Sequence, residues 1–299
     1  MDRRKFLTHT PMAATSIAAL APLTKQSFPE RTVSTSRFYA TNWGYTGDLP
    51  SFCKAAAKEA YDGVEIWLPK EEDWKDLSKA LEEQKLRRAL LVGAWENDFS
   101  RHLEQYKSNL LAAVKLTPDF INCHAGKDYF TFEQNRQIVE FAIETSLQSS
   151  IPVYQETHRG RMFFAAHITQ QFLEEIPDIR LTLDISHWCN VHESLLQDQE
   201  DAVALAINHS EHIHARIGHA EGPQITDLQA PEWRESVDAH LRWWDKIVER
   251  RGAAEQPLTI TPEFGPPHYM PTVPYTGQPL ADNWKVNVET MTMLRQRYG

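Results

Sequence analysis

Cysteine is scarce in this chain, with three residues at positions 53, 123 and 189. So small and odd a set excludes a disulfide framework. Cys53 and Cys123 lie in stretches that look like element interiors, where the thiol serves as a small buried hydrophobe. Cys189 follows Asp184 closely and is read as packing rather than as a reactive thiol. Positive charge is also short: 31 Lys and Arg stand against 41 Asp and Glu, a net charge of −10. Phosphate backbones need a basic face, so no nucleic-acid partner is expected. No run of about 18 apolar residues occurs, so no membrane span is expected. No Gly-rich loop opens any βα unit, and a dinucleotide site therefore lacks its fingerprint.

What the chain does have, from Arg37 onward, is a regular alternation of short apolar runs and amphipathic stretches. Strands are expected at 38–43, 64–68, 89–94, 120–124, 153–157, 181–185, 212–217 and 258–263. Their continuous apolar character suits strands buried on both faces. Helices are expected at 49–61, 72–85, 99–116, 132–149, 165–176, 195–208, 231–251 and 283–297. In the seventh, Trp233, Val237, Leu241, Trp244 and Val248 fall on one stripe, read as core packing. Thr131 and Ser194 are candidate caps, Pro231 suits a first turn, and Gly252 follows an Arg pair at the expected helix end. Eight strand–helix pairs in about 260 residues predict an α/β fold, a single (β/α)8 TIM barrel, rather than a doubly wound sheet. The longest irregular stretches, 218–230 and 265–279, both follow strands with polar ends, and loops of that length are often functional.

The first residues carry an address. Asp2-Arg3-Arg4-Lys5-Phe6-Leu7 resembles a twin-arginine (Tat) signal, followed by a mild apolar run from Met12 to Leu23 and an Ala19-Leu20-Ala21 cleavage-like triplet. Residues 1–30 are thus expected to be an export leader and linker, residues 31–299 the barrel, and the location periplasmic.

Four segments of the second half end an apolar strand with a side chain that binds metals: Pro-Val-Tyr-Gln-Glu156, Leu-Thr-Leu-Asp184, His-Ile-His214 and Leu-Thr-Ile-Thr-Pro-Glu263. In a parallel barrel the strand carboxyl ends share one mouth, so four positions about one βα unit apart can converge. Carboxylates with one imidazole suit one divalent ion, Mn²⁺ ahead of Mg²⁺, Co²⁺ or Zn²⁺. His212 points to the same side as His214 but lies nearer the barrel floor, so His214 is preferred as ligand. His187, just past Asp184, and His158, just past Glu156, are candidate substrate contacts. So are His124 at the end of strand four and Arg216, two residues beyond His214. Glu65 on strand two and the loop residues Arg159 and Arg161 are weaker candidates.

Glu156, Asp184 with His187 three residues on, His214 with nearby Arg216, and Glu263 together resemble the xylose-isomerase-like TIM barrels. These include sugar phosphate isomerase/epimerases, ketose 3-epimerases, inosose isomerases and dehydratases, and endonuclease IV. The resemblance covers nearly everything from Arg37 to Gly299. It implies that Glu156, Asp184, His214 and Glu263 hold one metal ion, with His187 and Arg216 on substrate oxygens. It also implies isomerisation or epimerisation of a small carbohydrate, a sugar or cyclic polyol, through an enediolate. Glu156 and Glu263 are the acid/base pair. The stretches 212–227 and 262–268 depart from the ketose-epimerase pattern and point to a different substrate. Two other readings stay open: a metal-dependent lyase or dehydratase on a keto-glycoside or keto-inositol, and a non-catalytic carbohydrate-binding barrel. An oligomer is left open too.

Overall fold

The structure, a computed structural model, describes residues 36–299. The expected leader, 1–30, lies outside them. Eight parallel strands pair in chain order into a closed barrel: β1 Ser36–Thr41, β2 Gly63–Trp67, β3 Arg87–Gly93, β4 Ile121–His124, β5 Val153–Glu156, β6 Leu181–Leu183, β7 Ser210–His214 and β8 Leu258–Thr261. Closure is made by β1 against β8, with Phe38 beside Ile260. The outer ring is α1 Leu49–Lys58, α2 Trp74–Gln84, α3 Phe99–Lys115, α4 Phe132–Ser149, α5 Ala166–Glu175, α6 Ser186–Val191, α7 Glu200–His209, α8 Arg234–Ala253 and α9 Asn283–Tyr298. Among the described residues no helix is long and apolar enough to cross a membrane.

Local chemistry sets several of these boundaries. Thr131 caps α4 as half of a capping box with Gln134, each satisfying a backbone N–H that the helix leaves free. Asp48, Asp98 and Asp282 accept from the third residue of α1, α3 and α9. Three expectations need correction. Ser194 caps no helix: its hydroxyl accepts from Leu196 N–H in a loop, and α7 begins at Glu200. Gly252 lies inside α8 rather than after it. Residues 186–191, expected as loop, form α6, a single short helix under the barrel mouth.

Strand alternation sorts the barrel interior into layers. Tyr39, Ala89, Phe120 and Tyr154 form a separate buried cluster. His212 lies on it, with its ring centroid 4.5 Å from that of Phe120. Two residues further along the same strands come Asn122, Glu156 and His214, all buried. The apolar floor thus supports a polar layer, and the barrel mouth lies above it. All three cysteines are buried and free, and burial pushes the thiols of Cys53 and Cys123 up to about 11 and about 12.

Candidate metal centre

Glu156 ends β5 and His214 ends β7, while Asp184 and Glu263 stand just past the ends of β6 and β8. Each contributes one potential ligand atom, and these four atoms lie within 4.8 Å of one another. His214 Nδ1 is 3.0 Å from Glu263 Oε2 and 3.4 Å from Glu156 Oε2. Donors around an ion with bonds of about 2.1 Å sit about 3 Å apart.

The second layer explains this arrangement. Glu65 is fully buried on β2 and accepts from His214 Nε2 at 3.1 Å and from His212 Nε2 at 3.1 Å. A carboxylate behind the imidazole holds a proton on Nε2 and aims Nδ1 at the cluster, where a bound ion would take the place of the Nδ1 proton. His212 is anchored further by Thr259, whose hydroxyl donates to Nδ1 at 2.8 Å. It is therefore a floor residue that orients Glu65. Asn122 donates to Glu156 at 2.8 Å and to Glu65 at 3.2 Å, tying the two layers together. His124 is paired with Glu156.

The donor set fits a divalent cation on two counts. First, His214 Nδ1 and Glu156 Oε1 are buried polar atoms without a hydrogen-bond partner, an arrangement that native interiors rarely tolerate. Second, the charges do not balance. Glu156, Asp184 and Glu263 face one guanidinium, that of Arg216, which pairs with Asp184 and lies 3.8 Å from Glu263. Three carboxylates thus converge on one guanidinium, and His214 is the other group close enough to offset them. Burial, with Glu156 and Glu263 alongside, pushes the Asp184 carboxyl up to about 6 despite its Arg216 partner. Burial also opposes charge on Glu156, but His124 and His214 outweigh it and hold that carboxyl well below the usual range. Burial resists a charge on His214, yet Glu263, Glu65 and Glu156 together raise its pKa well above an ordinary imidazole's. The Asp184 and His214 shifts both report the neighbouring carboxylates.

Above the cluster is a pocket of about 210 Å³, lined by Trp43, Trp67, Trp95, His124, His158, Arg161, Arg216, Glu263 and Tyr269. Of the residues read as substrate contacts, His124, His158 and Arg216 reach this wall. His187 does not, which corrects its placement. It is fully buried in α6, its ring centroid 3.9 Å from that of His158, and its Nε2 accepts from Arg216 at 2.6 Å. Burial keeps both His158 and His187 neutral, well below the ordinary imidazole pKa. Arg216 itself is held by Asp184, His187 and Ser186, so most of its donors serve the centre rather than the pocket. Of the two expected acid/base groups, Glu263 lines the pocket, whereas Glu156 lies beneath His124. Arg161 lines it too, while Arg159 lies over the Tyr269 ring at 4.8 Å and donates to Asn190 at 2.9 Å.

The aromatic wall was missing from the sequence reading. A signal existed. Trp67 ends β2, and Trp43 and Trp95 stand two residues past β1 and β3. The rule that located the ligands on the second half of the barrel applies equally to the first half.

No protein-family model matches the chain, and no curated protein matches it in sequence. In three dimensions it is similar to a xylose isomerase-like TIM barrel protein from Mycobacterium smegmatis, solved in complex with magnesium. The TM-score is 0.59 at 8% identity, covering 89% of this chain and 98% of that one. It is also similar to a probable 3-DHS dehydratase from Bacillus anthracis (TM-score 0.54, 14% identity, 86% and 99% covered). A sugar phosphate isomerase/epimerase from Parabacteroides distasonis gives TM-score 0.52 at 12% identity, with 87% and 98% covered. The chain therefore has the xylose-isomerase-like TIM-barrel fold.

Proposed function

We propose that this protein is a divalent-metal-dependent isomerase or epimerase of a sugar or cyclic polyol. The observation that carries the reading is the cluster of Glu156, Asp184, His214 and Glu263. It sets three carboxylates against one guanidinium, with an imidazole nitrogen that has no hydrogen-bond partner, at the base of the pocket. Neighbours with the same fold named as a magnesium complex and as an isomerase/epimerase support it. When bound, the ion, Mn²⁺ ahead of Mg²⁺, Co²⁺ or Zn²⁺, supplies Lewis acidity at a carbonyl. The remaining chemistry belongs to the side chains. Glu263, facing the pocket, takes the proton from the carbon next to the carbonyl, leaving the substrate as an enediolate. Glu156, beneath His124, serves the opposite side. Return of the proton to the other face of that carbon gives an epimer, and return to the neighbouring carbon an aldose–ketose pair. Arg216 holds Asp184 in place through the cycle.

A lyase or dehydratase acting on a keto-glycoside or keto-inositol is the second reading. It begins with the same proton removal, and a neighbour named as a probable dehydratase supports it. The test is metal analysis of the purified protein, with a panel of ketoses and keto-glycosides in deuterated buffer. One equivalent of metal and deuterium at the α-carbon support both readings, and release of the substituent selects the lyase. Absence of metal, or metal retained after Asp184→Ala with His214→Ala, would remove the assignment. We further propose export to the periplasm on the strength of Arg3-Arg4. Replacing both by Lys in the full chain should leave the protein in the cytoplasmic fraction, and unchanged export would refute it.

A further inference from the structure

Two tryptophans at the pocket rim are more exposed than stability alone favours. Trp67 is 38% and Trp95 50% exposed, yet large aromatic faces contribute stability when covered. They form one platform, with ring centroids 5.2 Å apart. The platform is held in position. A Cβ on Gly93, the last residue of β3, would lie 2.9 Å from Trp95 Cζ2 and 3.1 Å from Trp67 Cζ3, so both indoles rest against bare backbone. Gln105 of α3 accepts from Trp95 N–H at 2.6 Å, and Asn109 donates to the Gly93 carbonyl at 2.9 Å. The platform is also continuous with the metal centre, since Trp67 packs edge-on to His124 at 5.1 Å, and His124 pairs with Glu156. Arg161 lies over Trp95 at 4.9 Å, and its Nε is buried with no hydrogen-bond partner.

We propose that Trp67, Trp95 and Arg161 form an outer subsite for a second ring, O-linked to the ring bound above the metal centre. The preferred ligand is then a glycoside rather than a free monosaccharide. The inference rests on the proposed function for the place of the inner ring. Size agrees with it: the pocket is about 210 Å³, below the roughly 300–1,000 Å³ of pockets that enclose drug-sized ligands, and its wall runs from Glu263 and Arg216 to the half-exposed Trp67 and Trp95, where a second ring would rest. The chemistry there fits a ring better than a phosphate. Indole faces stack on the C–H face of a sugar or on an aryl group, and the single guanidinium is already engaged with Trp95. Its free Nε–H is left for a ring or bridging oxygen.

The test is equilibrium binding by calorimetry to the metal-loaded full chain. The probes are 3-keto-glucose, an aryl 3-keto-glucoside, a 3-keto-disaccharide and 3-keto-glucose 6-phosphate. Preference for either two-ring ligand over 3-keto-glucose is expected, and the stronger of the two tells an aryl from a glycosyl substituent. Trp95→Ala and Trp67→Ala should each shrink the ratio of two-ring to one-ring affinity roughly five- to tenfold, while Trp95→Phe keeps most of it. Equal affinities for one-ring and two-ring ligands, a ratio unmoved by either Ala variant, or tightest binding of the phosphate ester would overturn the proposal. Deuterium exchange on the same samples judges the proposed function separately. A two-ring preference without exchange keeps the subsite and removes the isomerase reading, whereas exchange without the preference does the opposite.

Discussion

Glu65 shows how much depends on a single side chain that touches no ligand. Its carboxylate holds a His214 proton on Nε2 and so leaves Nδ1 to face the other candidate ligands. Glu65→Gln keeps the shape but can present an amide N–H to the imidazole instead. We expect a folded protein whose metal affinity falls roughly 10- to 100-fold, read by competition with a chelator; an unchanged affinity would remove Glu65 from this role. Asp184 has a different task, as the counter-charge of the fully buried Arg216. Asp184→Asn leaves that guanidinium poorly compensated, a loss of about 3–5 kcal/mol in comparable buried pairs. Urea unfolding of metal-free protein measures it. Adding Arg216→Met to Asp184→Asn should restore part of the stability, and simple additivity of the two losses would contradict the pairing.

At the scale of elements, α8 secures the loop that leaves β7. His240 is fully buried on α8, where Nε2 accepts from Gly218 N–H at 3.1 Å and Nδ1 donates to the Ser236 carbonyl at 2.8 Å. Burial pushes this imidazole from 6.5 down to about 4. The native state keeps it neutral while the unfolded chain protonates near 6.5. Its contribution is therefore complete above about pH 6.5 and is lost as the pH falls toward 4, on the order of 3 kcal/mol in total. Urea midpoints from pH 7 to pH 4 should fall less steeply for His240→Gln than for the parent chain. Parallel slopes would show that His240 does not carry this dependence. The short helix α6 has a related role: it sets His187 behind Arg216, so a residue that reads as a substrate contact in sequence becomes part of the support.

For the whole molecule, the candidate metal centre draws side chains from β5, β7, the segments after β6 and β8, and the second layer on β2 and β4. An ion that binds only this assembled arrangement stabilises the fold by mass action, about 2.7 kcal/mol at a hundred times its Kd. Chelator-treated protein should melt lower than the Mn²⁺-loaded form, and His214→Ala should abolish the shift. A shift of full size in that variant would place the ion elsewhere.

Much of this was legible in the sequence. Runs of apolar residues spaced one βα unit apart specify parallel strands buried on both faces. Period-two alternation then fixes which side chains enter the barrel, so Glu156, Asp184, His214 and Glu263 could be named together. Strand ends were less legible. Asp184, Arg216 and Glu263 read as strand residues but lie beyond β6, β7 and β8, because hydrogen-bond pairing stops before the apolar pattern does. The sequence alone thus determined the barrel and named the four residues that its mouth brings together, since both depend on local periodicity and residue type. Only the tertiary structure decided that Glu65 stands behind His214, that His187 stands behind Arg216, and that three tryptophans line the pocket together with Glu263. Those relations join residues far apart in the chain, and they are set by the closing of β1 on β8 and the depth of each side chain in the barrel.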